Sequence, residues 1–269
     1  MVGKPSRRAR RNHGARENGA EAQAQQAQVK LRLEYRELLD DYTRDIAEMC
    51  ELARLAMLHA SRALGGQDLE AAENAMTESD KLIDIHLRCE DHAMLLLSRQ
   101  NPVATDLRQV LAYIHMERNL TRMGNLAKLV AKIARQHHPS PALPDDVLAD
   151  IIDMAQLCDQ MAARVAALIA APKVKDALDL VTEDEPIDAA ARSLTAEASG
   201  DDWPYTNRDA VETALICRYY ERFADHCVDI GRHIIFMVTS MRPNELPESC
   251  SPAQAEGLAE LERRFSLRM

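Results

Sequence analysis

Residues 220–229 read YERFADHCVD, and this stretch decides how the chain folds. Its three carboxylates, Glu221, Asp225 and Asp229, recur at every fourth position among mostly apolar side chains. A step of four residues advances by only about 40° around an α-helix, so the three carboxylates form one stripe. Acidic side chains at that spacing repel one another unless a cation or a basic partner lies between them. The stretch therefore predicts a helix whose acidic stripe requires a counter-charge.

The composition of the 269 residues points to helices and to the cytoplasm. Hydrophobic residues make up 46% of the chain and aromatic residues only 4%, with many Ala, Leu and Met, which indicates helices. The formal net charge of −10 argues against a nucleic-acid partner. The six cysteines are scattered and form no C-x-x-C pair, which indicates reduced thiols. Because no apolar run approaches the roughly 20 residues of a membrane-spanning helix, we expect a cytoplasmic protein that reaches a membrane only through its partners.

The first 30 residues are basic, and a Gln/Ala-rich stretch closes this segment. They lack the apolar region of an export signal. Two interpretations stay open, namely a solvated tail and a weak attachment site for anionic lipid or nucleic acid. In either case residues 1–30 are predicted to be a disordered basic extension.

From Leu31 onward the chain reads as six long helices separated by glycine and proline breakers. The predicted fifth helix also contains Pro186, which should kink or interrupt it. The breakers are Gly65-Gly66, Asn101-Pro102, the prolines between 139 and 144, Pro172, and the loop of residues 200–207 that contains Trp203-Pro204. The sequence therefore predicts three helices, a proline linker and three more helices.

The two halves of the chain carry matching segments in the same order. Residues 80–84 (DKLID) parallel residues 184–188 (DEPID), and residues 121–125 (TRMGN) parallel residues 221–225 (ERFAD). We therefore predict an all-α fold of two tandem three-helix bundles. The predicted limits are 31–139 for the first bundle, 140–241 for the second and 242–269 for a C-terminal tail.

Three segments resemble the PhoU family of phosphate-signalling proteins, and most closely its actinobacterial PhoY branch. They are residues 101–108 (NPVATDLR), 122–124 (RMG) and 218–226 (RYYERFADH). The similarity extends from about Leu31 to Pro243. The resemblance implies the PhoU-like six-helix repeat fold.

The resemblance also implies a function. Family members are negative regulators of phosphate uptake and of the phosphate-starvation response. They act as metal-binding adaptors between the ATP-binding subunit of the Pst phosphate ABC transporter and a sensor histidine kinase, and so regulate transcription through two-component signalling. We therefore expect these two partners and a homodimer.

The family's metal signature is an acidic residue followed four positions later by Asp, once in each bundle. Glu221 and Asp225 match this signature in the second bundle, whereas the first bundle has Thr121 and Asn125 at the corresponding positions. Neither Thr nor Asn carries a charge, so a hard cation should bind there much more weakly, if at all. The resemblance thus implies a metal at the second bundle only.

The donor atoms of the second bundle indicate which metal would bind. Oxygen ligands from Glu221, Asp225 and Asp229 favour Mg²⁺, Mn²⁺, Ca²⁺ or iron over zinc, and we expect a divalent or trivalent ion, Fe, Mn or Mg. One helix cannot surround an ion, so Asp184 and Asp188 of the neighbouring helix should complete the site. His226 lies about 100° around the helix from Asp225 and should border the site.

Two other functions compete with this interpretation. A metal-independent helical scaffold would use the acids only for solubility, and metal-independent folding and partner binding would support it. A carboxylate-bridged metal oxidase would need Glu-x-x-His pairs on two helices, and the sequence has none. There is also no phosphate-binding glycine loop of the G-x-x-x-x-G-K-[ST] type. We therefore expect a regulator and not an enzyme.

Overall fold

The computed structural model describes residues 7–99, 105–241, 245 and 252–266, and it describes side chains at 25, 26, 29–98, 105–241, 245 and 256–265. These ranges contain eight α-helices and no strand, which confirms the all-α prediction. The helices are α1 (Arg7–Gly66), α2 (Leu69–Arg99), α3 (Thr105–His137), α4 (Asp145–Ala170), α5 (Val174–Leu180), α6 (Glu185–Ala198), α7 (Asn207–Thr239) and α8 (Pro252–Ser266).

The helices pack as two bundles that lie side by side. α1, α2 and α3 contact one another and form the first bundle, whereas α4, α5 and α6 pack with α7 in the second bundle. The two bundles meet where α1 contacts α4 and where α3 contacts α7. One continuous apolar core runs through both bundles, because the buried side chains of all four contacting helices belong to it.

Helix α7 carries the YERFADHCVD stretch and is anchored at both ends. Thr206 and Asp209 form a reciprocal capping box at its start, and Ser240, with φ of 70°, ends it in the left-handed conformation. Tyr220 and Phe223 are fully buried on its inner face. This burial fixes the rotation of α7 and leaves the acidic stripe at the edge of the second bundle.

The predicted fifth helix is interrupted, as Pro186 indicated. It forms two helices, α5 and α6, and Pro186 lies in the first turn of α6, where its missing N–H removes no helical hydrogen bond. Asp184 is the N-cap residue of α6, although its side chain makes no capping hydrogen bond. The break therefore places Asp184 and Asp188 on the first turns of a new helix beside α7.

The N-terminal segment differs from the prediction. α1 begins at Arg7, so the segment expected to be a disordered extension is helical from residue 7, while residues 1–6 lie outside the described residues. The reason is that Ala, Arg, Glu and Gln dominate the segment, and all four are strong helix formers. Extending an existing helix also avoids the cost of nucleating a new one.

The C-terminal tail contains a docked helix. α8 packs against α5 and α7, where Phe265 is buried and the Glu262 carboxylate accepts a hydrogen bond from the backbone N–H of Val174. The part of the tail that the structure describes therefore belongs to the second bundle. None of the helices within the described ranges combines the length and the apolar character that crossing a membrane requires.

Candidate metal centre

Helices α6 and α7 bring four of the five predicted ligands together. Asp184 and Asp188 of α6 lie beside Glu221 and Asp225 of α7, and these four residues are called the acidic cluster below. Burial, followed by the charges of the other three members, raises the pKa of Asp188. Burial and Glu221 likewise raise the pKa of Asp225, while Arg218 lowers it. The charges of Asp184 and Glu221 thus act on both Asp188 and Asp225, which is the effect expected of neighbouring carboxylates.

One oxygen of the acidic cluster lacks a partner. Oδ1 of Asp188 is buried and makes no hydrogen bond within the described residues. An unsatisfied buried polar atom typically costs about 1–3 kcal/mol, and more when it is charged. A cation placed among the four carboxylates would satisfy this oxygen and would remove the repulsion between its neighbours. The donor set, which consists of carboxylate oxygens alone, suits Mg²⁺, Mn²⁺ or iron.

The basic groups around the acidic cluster neutralise only part of its charge. Arg218 lies 2.6 Å from Glu221, and Arg192 lies 2.9 Å from Glu185, outside the acidic cluster. Within the described ranges, no ion pair involves Asp184, Asp188 or Asp225. Three carboxylates therefore share the weak field of two exposed arginines.

The side chains of the acidic cluster do not have the arrangement that coordination of a metal ion requires. No group of three or more His, Cys, Asp or Glu side chains in the described part of the chain converges at metal-binding geometry. Carboxylates that repel one another turn apart when no cation lies between them. Binding would therefore require rotamer changes on α6 and α7, which the exposed Asp225 can make without disturbing the core.

Asp229 and His226 lie apart from the acidic cluster. Asp229 pairs with Arg232 at 3.1 Å, and its charge raises the pKa of Asp225 less than the charges of Glu221 and Asp184 do. His226 is buried against α3, with Nδ1 at 3.0 Å from Oδ1 of Asn119. Sequence spacing placed both residues near the site, but each is held by a different partner. Asp229 sits at the end of the stripe, and His226 joins the two bundles.

Among the described residues, the first bundle carries no acid at the two positions that match Glu221 and Asp225. The hydroxyl of Thr121 donates to the backbone carbonyl of Glu117 at 2.8 Å, and Asn125 is exposed. Asp80 forms an ion pair with Lys128 of α3, which the sequence interpretation did not single out. The two parallel segments, 80–84 and 184–188, differ in the burial of their isoleucines, since Ile83 is 48% exposed whereas Ile187 is fully buried.

Glu117 is a further buried acid that the sequence interpretation missed. Its side chain is 3% exposed and accepts a hydrogen bond from the Tyr42 hydroxyl at 3.0 Å. The pKa of Glu117 is raised to about 7, and burial is the largest cause. The hydrogen bond from Tyr42 acts to lower the pKa, and the charge of Glu90 acts to raise it. The signal was present in the sequence, because Glu117 lies four residues before Thr121 on the same stripe of α3.

A family model described as the PhoU domain matches the chain twice, at residues 46–134 and 151–234. The phosphate-specific transport system accessory protein PhoU homolog 2 of Mycobacterium tuberculosis is 35% identical over 213 residues, which cover 79% of this chain and 100% of that protein. PhoU homolog 1 of Mycobacterium leprae is 34% identical over 215 residues, which cover 80% and 97% of the two chains.

Two crystal structures have the same fold. PhoU from Pseudomonas aeruginosa superposes with a TM-score of 0.70 at 20% identity and covers 77% of this chain and 100% of its own. The phosphate transport system regulatory protein PhoU from Streptococcus pneumoniae gives 0.68 at 23% identity, with 78% and 98% covered. At these identities the likeness concerns the fold alone.

Proposed function

Because this chain belongs to the PhoU family, we propose that it is an accessory regulator of a phosphate-specific transport system. It restrains phosphate uptake and represses the phosphate-starvation response when phosphate is plentiful. The observation that carries this proposal is the 35% identity along the whole length of a relative named as such an accessory protein. The coverage of that relative is complete, so the likeness extends over both bundles.

We propose that the protein works as a cytoplasmic adaptor and not as an enzyme. Its partners are the ATP-binding subunit of the transporter and a sensor histidine kinase, and the adaptor itself is a homodimer. The support for this assignment is the resemblance of the sequence to the family, together with a fold that offers long helical faces from two bundles. A protein of this shape can contact two partners at once without a catalytic site.

In this proposal the acidic cluster holds one or more iron, manganese or magnesium ions, with Asp229 at the margin. When bound, the cation supplies the positive charge that the four carboxylates lack. Asp188 offers the buried oxygen without a partner, and Glu221 is oriented by Arg218. Since two ligands come from α6 and two from α7, the ion fixes the register of these two helices.

The alternative is a scaffold that functions without metal. The ion pair between Arg218 and Glu221 favours it, because this pair already removes one negative charge from the acidic cluster. Three carboxylates remain without an ion pair in the described ranges, and we therefore prefer the metal-binding form.

The test combines metal content with regulation. Elemental analysis of tag-free protein should find bound metal in the wild type and a loss of that metal in Glu221→Gln/Asp225→Asn. In a strain that lacks its own copy of the gene, the wild type should restore repression of a phosphate-starvation reporter in phosphate-rich medium, whereas this variant should restore less. The matched control is Thr121→Ala/Asn125→Ala, which alters the same positions of the first bundle and should behave as the wild type.

The possible results separate the two forms of the proposal. Repression without metal in the wild type would establish the metal-independent scaffold. A wild-type protein that fails to restore repression would contradict the regulatory function itself.

A further inference from the structure

The ion pair between Lys128 and Asp80 joins α3 to α2. The contact between two neighbouring helices of one bundle is called a seam below, and this pair lies in the α2–α3 seam, as the acidic cluster lies in the α6–α7 seam. Lys128 follows Asn125 by three residues on α3, so its ammonium group lies next to the degenerate signature. Its side chain is 25% exposed, which means that most of its aliphatic part is covered by the bundle. A positive charge is thus built into the first bundle by the chain itself.

The burial pattern fixes the residue that corresponds to Lys128 in the second bundle. A shift of 100 residues aligns α3 with α7, because three pairs of residues along the two helices are fully buried in both bundles. These pairs are Met123 with Phe223, Ala127 with Cys227 and Val130 with Ile230. In this register Lys128 corresponds to Val228, which is 2% exposed and carries no charge. The second bundle therefore has Glu221 and Asp225 but no lysine at this position, whereas the first has Lys128 but no acid at positions 121 and 125.

We propose that Lys128 is a tethered counter-ion that replaces the metal in the first bundle and excludes a cation from it. The proposal rests on the metal site of the proposed function and concerns the residue that restricts it to one bundle. The ammonium of Lys128 neutralises Asp80, and its positive charge repels a second cation at short range. Restoring the signature at positions 121 and 125 is therefore insufficient for metal binding.

The packing of α2 on α3 supports a seam that needs no added cation. The hydroxyl of Ser79 donates to the backbone carbonyl of Gly124 at 2.8 Å. Leu82 lies so close to Gly124 that a side chain at this position would collide with it. Glycine therefore allows the two helices to approach closely, and the hydrogen bond fixes their register. In the second bundle, by contrast, the carboxylates of the acidic cluster lie where α6 meets α7, beside an apolar contact that includes the buried Ile187.

The test compares three variants of the first bundle, each loaded with Mn²⁺ and then dialysed. Thr121→Glu/Asn125→Asp should retain the metal content of the wild type. Adding Lys128→Val, the residue found at the matching position of α7, should raise the content by about one ion per chain. Adding Lys128→Arg instead keeps the positive charge and should leave the content unchanged. Elemental analysis and calorimetric titration with Mn²⁺ give the two readouts.

Two results would overturn the proposal. The first is a gain of metal in Thr121→Glu/Asn125→Asp with Lys128 intact, and the second is a folded Lys128→Val triple variant that gains none. The wild-type metal content tests the proposed function, whereas the difference between the variants tests Lys128. Each can therefore fail without the other.

A second measurement applies if the triple variant does not fold. Asp80→Asn and Lys128→Val, made singly and together in the otherwise unchanged chain, form a double-mutant cycle. If Lys128 is the counter-ion of Asp80, either single change should lower the Tm by roughly 1–3 °C, and the double change should cost less than the sum. Additive changes would show that the two side chains are not coupled, which contradicts the proposal.

Discussion

Glu117 is a carboxylic acid that the first bundle buries next to the Tyr42 hydroxyl. Burial raises its pKa from 4.5 to about 7, so the folded protein holds a proton there that the unfolded chain releases. The contribution of Glu117 to the free energy of unfolding is therefore fully present below pH 4.5 and is lost as the pH rises toward 7. The linkage corresponds to about 3 kcal/mol over this window.

We predict that Glu117→Gln flattens this part of the pH profile. The amide keeps an acceptor for Tyr42 but cannot ionise, so the variant should lose less stability than the wild type between pH 4.5 and pH 7. Urea unfolding at both pH values measures the difference. The exposed Asp91→Asn on α2 is the control and should follow the wild type, and a Glu117→Gln profile parallel to that of the wild type would be incompatible with a buried proton at this position.

His226 has the opposite dependence on pH. The pKa of His226 is lowered to about 4, chiefly by burial and then by the charge of Arg122. The charge of Asp229 acts in the opposite direction. The neutral imidazole is thus favoured in the folded state, and its contribution to stability is present above pH 6.5 and lost as the pH falls toward 4. Since His226 contacts Asn119 of α3, the loss acts on the contact between the bundles.

We expect His226→Gln to be less sensitive to acid than the wild type. Glutamine can still hydrogen-bond to Asn119 but binds no proton, so the fall in Tm between pH 6.5 and pH 4.5 should be smaller. Thermal unfolding followed by circular dichroism at several pH values checks this. An equal or larger fall in the variant would show that His226 does not limit stability in acid.

At the scale of the helices, the proposed metal site concerns α6 and α7, which carry the acidic cluster. A cation that binds only the folded state, at a free concentration of 100 times its Kd, raises the free energy of unfolding by about 2.7 kcal/mol. For a chain of this size that corresponds to roughly 5–10 °C in Tm. We predict that a chelator lowers the Tm of the wild type by an amount in this range. Glu221→Gln/Asp225→Asn should show no such response, because its acidic cluster has lost two charges.

The control for the chelator experiment is Thr121→Ala/Asn125→Ala, which should respond as the wild type does. An equal response of the Glu221→Gln/Asp225→Asn variant would place the metal elsewhere. A wild type without any response would favour the metal-independent scaffold.

Much of the helical order was predictable because glycine and proline act locally. Gly65-Gly66 ends α1, and Pro186 divides α5 from α6, where the residue types alone indicated a break. The helical start of α1 at Arg7 and the docking of α8 were not predicted. The first follows from continuity with a long helix, and the second depends on a surface of α5 and α7 that exists only after folding.

The acidic cluster was predictable only in part, because a periodic pattern shows neighbours on one helix but not contacts between helices. Spacing by four identifies Glu221 and Asp225 as neighbours on one helix, and the position of Asp188 beside them was anticipated from the order of the helices. The separation of Asp229 depends on the ion pair with Arg232, and the role of Lys128 depends on Asp80 of another helix. Contacts between helices that are distant in sequence cannot be obtained from a periodic pattern.

At the scale of the whole molecule, the two bundles share a core but differ in what stabilises their outer seams. α7 is tied to the first bundle by the Tyr220 hydroxyl, which lies 2.7 Å from the hydroxyl of Ser61 on α1. Arg54 of α1 also pairs with Asp159 of α4 at 2.7 Å. These contacts lie within the interface and involve no member of the acidic cluster, so they should persist when the metal is removed.

We therefore predict that metal removal loosens the protein on one side only. In hydrogen exchange followed by mass spectrometry, chelation should speed the exchange of amides in α6 and in the part of α7 around residues 221–229. Peptides from α2 and from α3 around residues 121–128 should keep their rates, because Lys128 remains attached to the chain and the Ser79–Gly124 hydrogen bond is unaffected.

The variant Lys128→Val supplies the matched comparison for this experiment. It should speed exchange in α2 and α3 whether or not metal is present, since the first bundle then loses its own counter-charge. Equal acceleration of both bundles on chelation would mean that metal stabilises the shared core and not the α6–α7 seam. Faster exchange in α6 and α7 alone would establish that a metal-dependent seam and a lysine-stabilised seam coexist in one repeat protein.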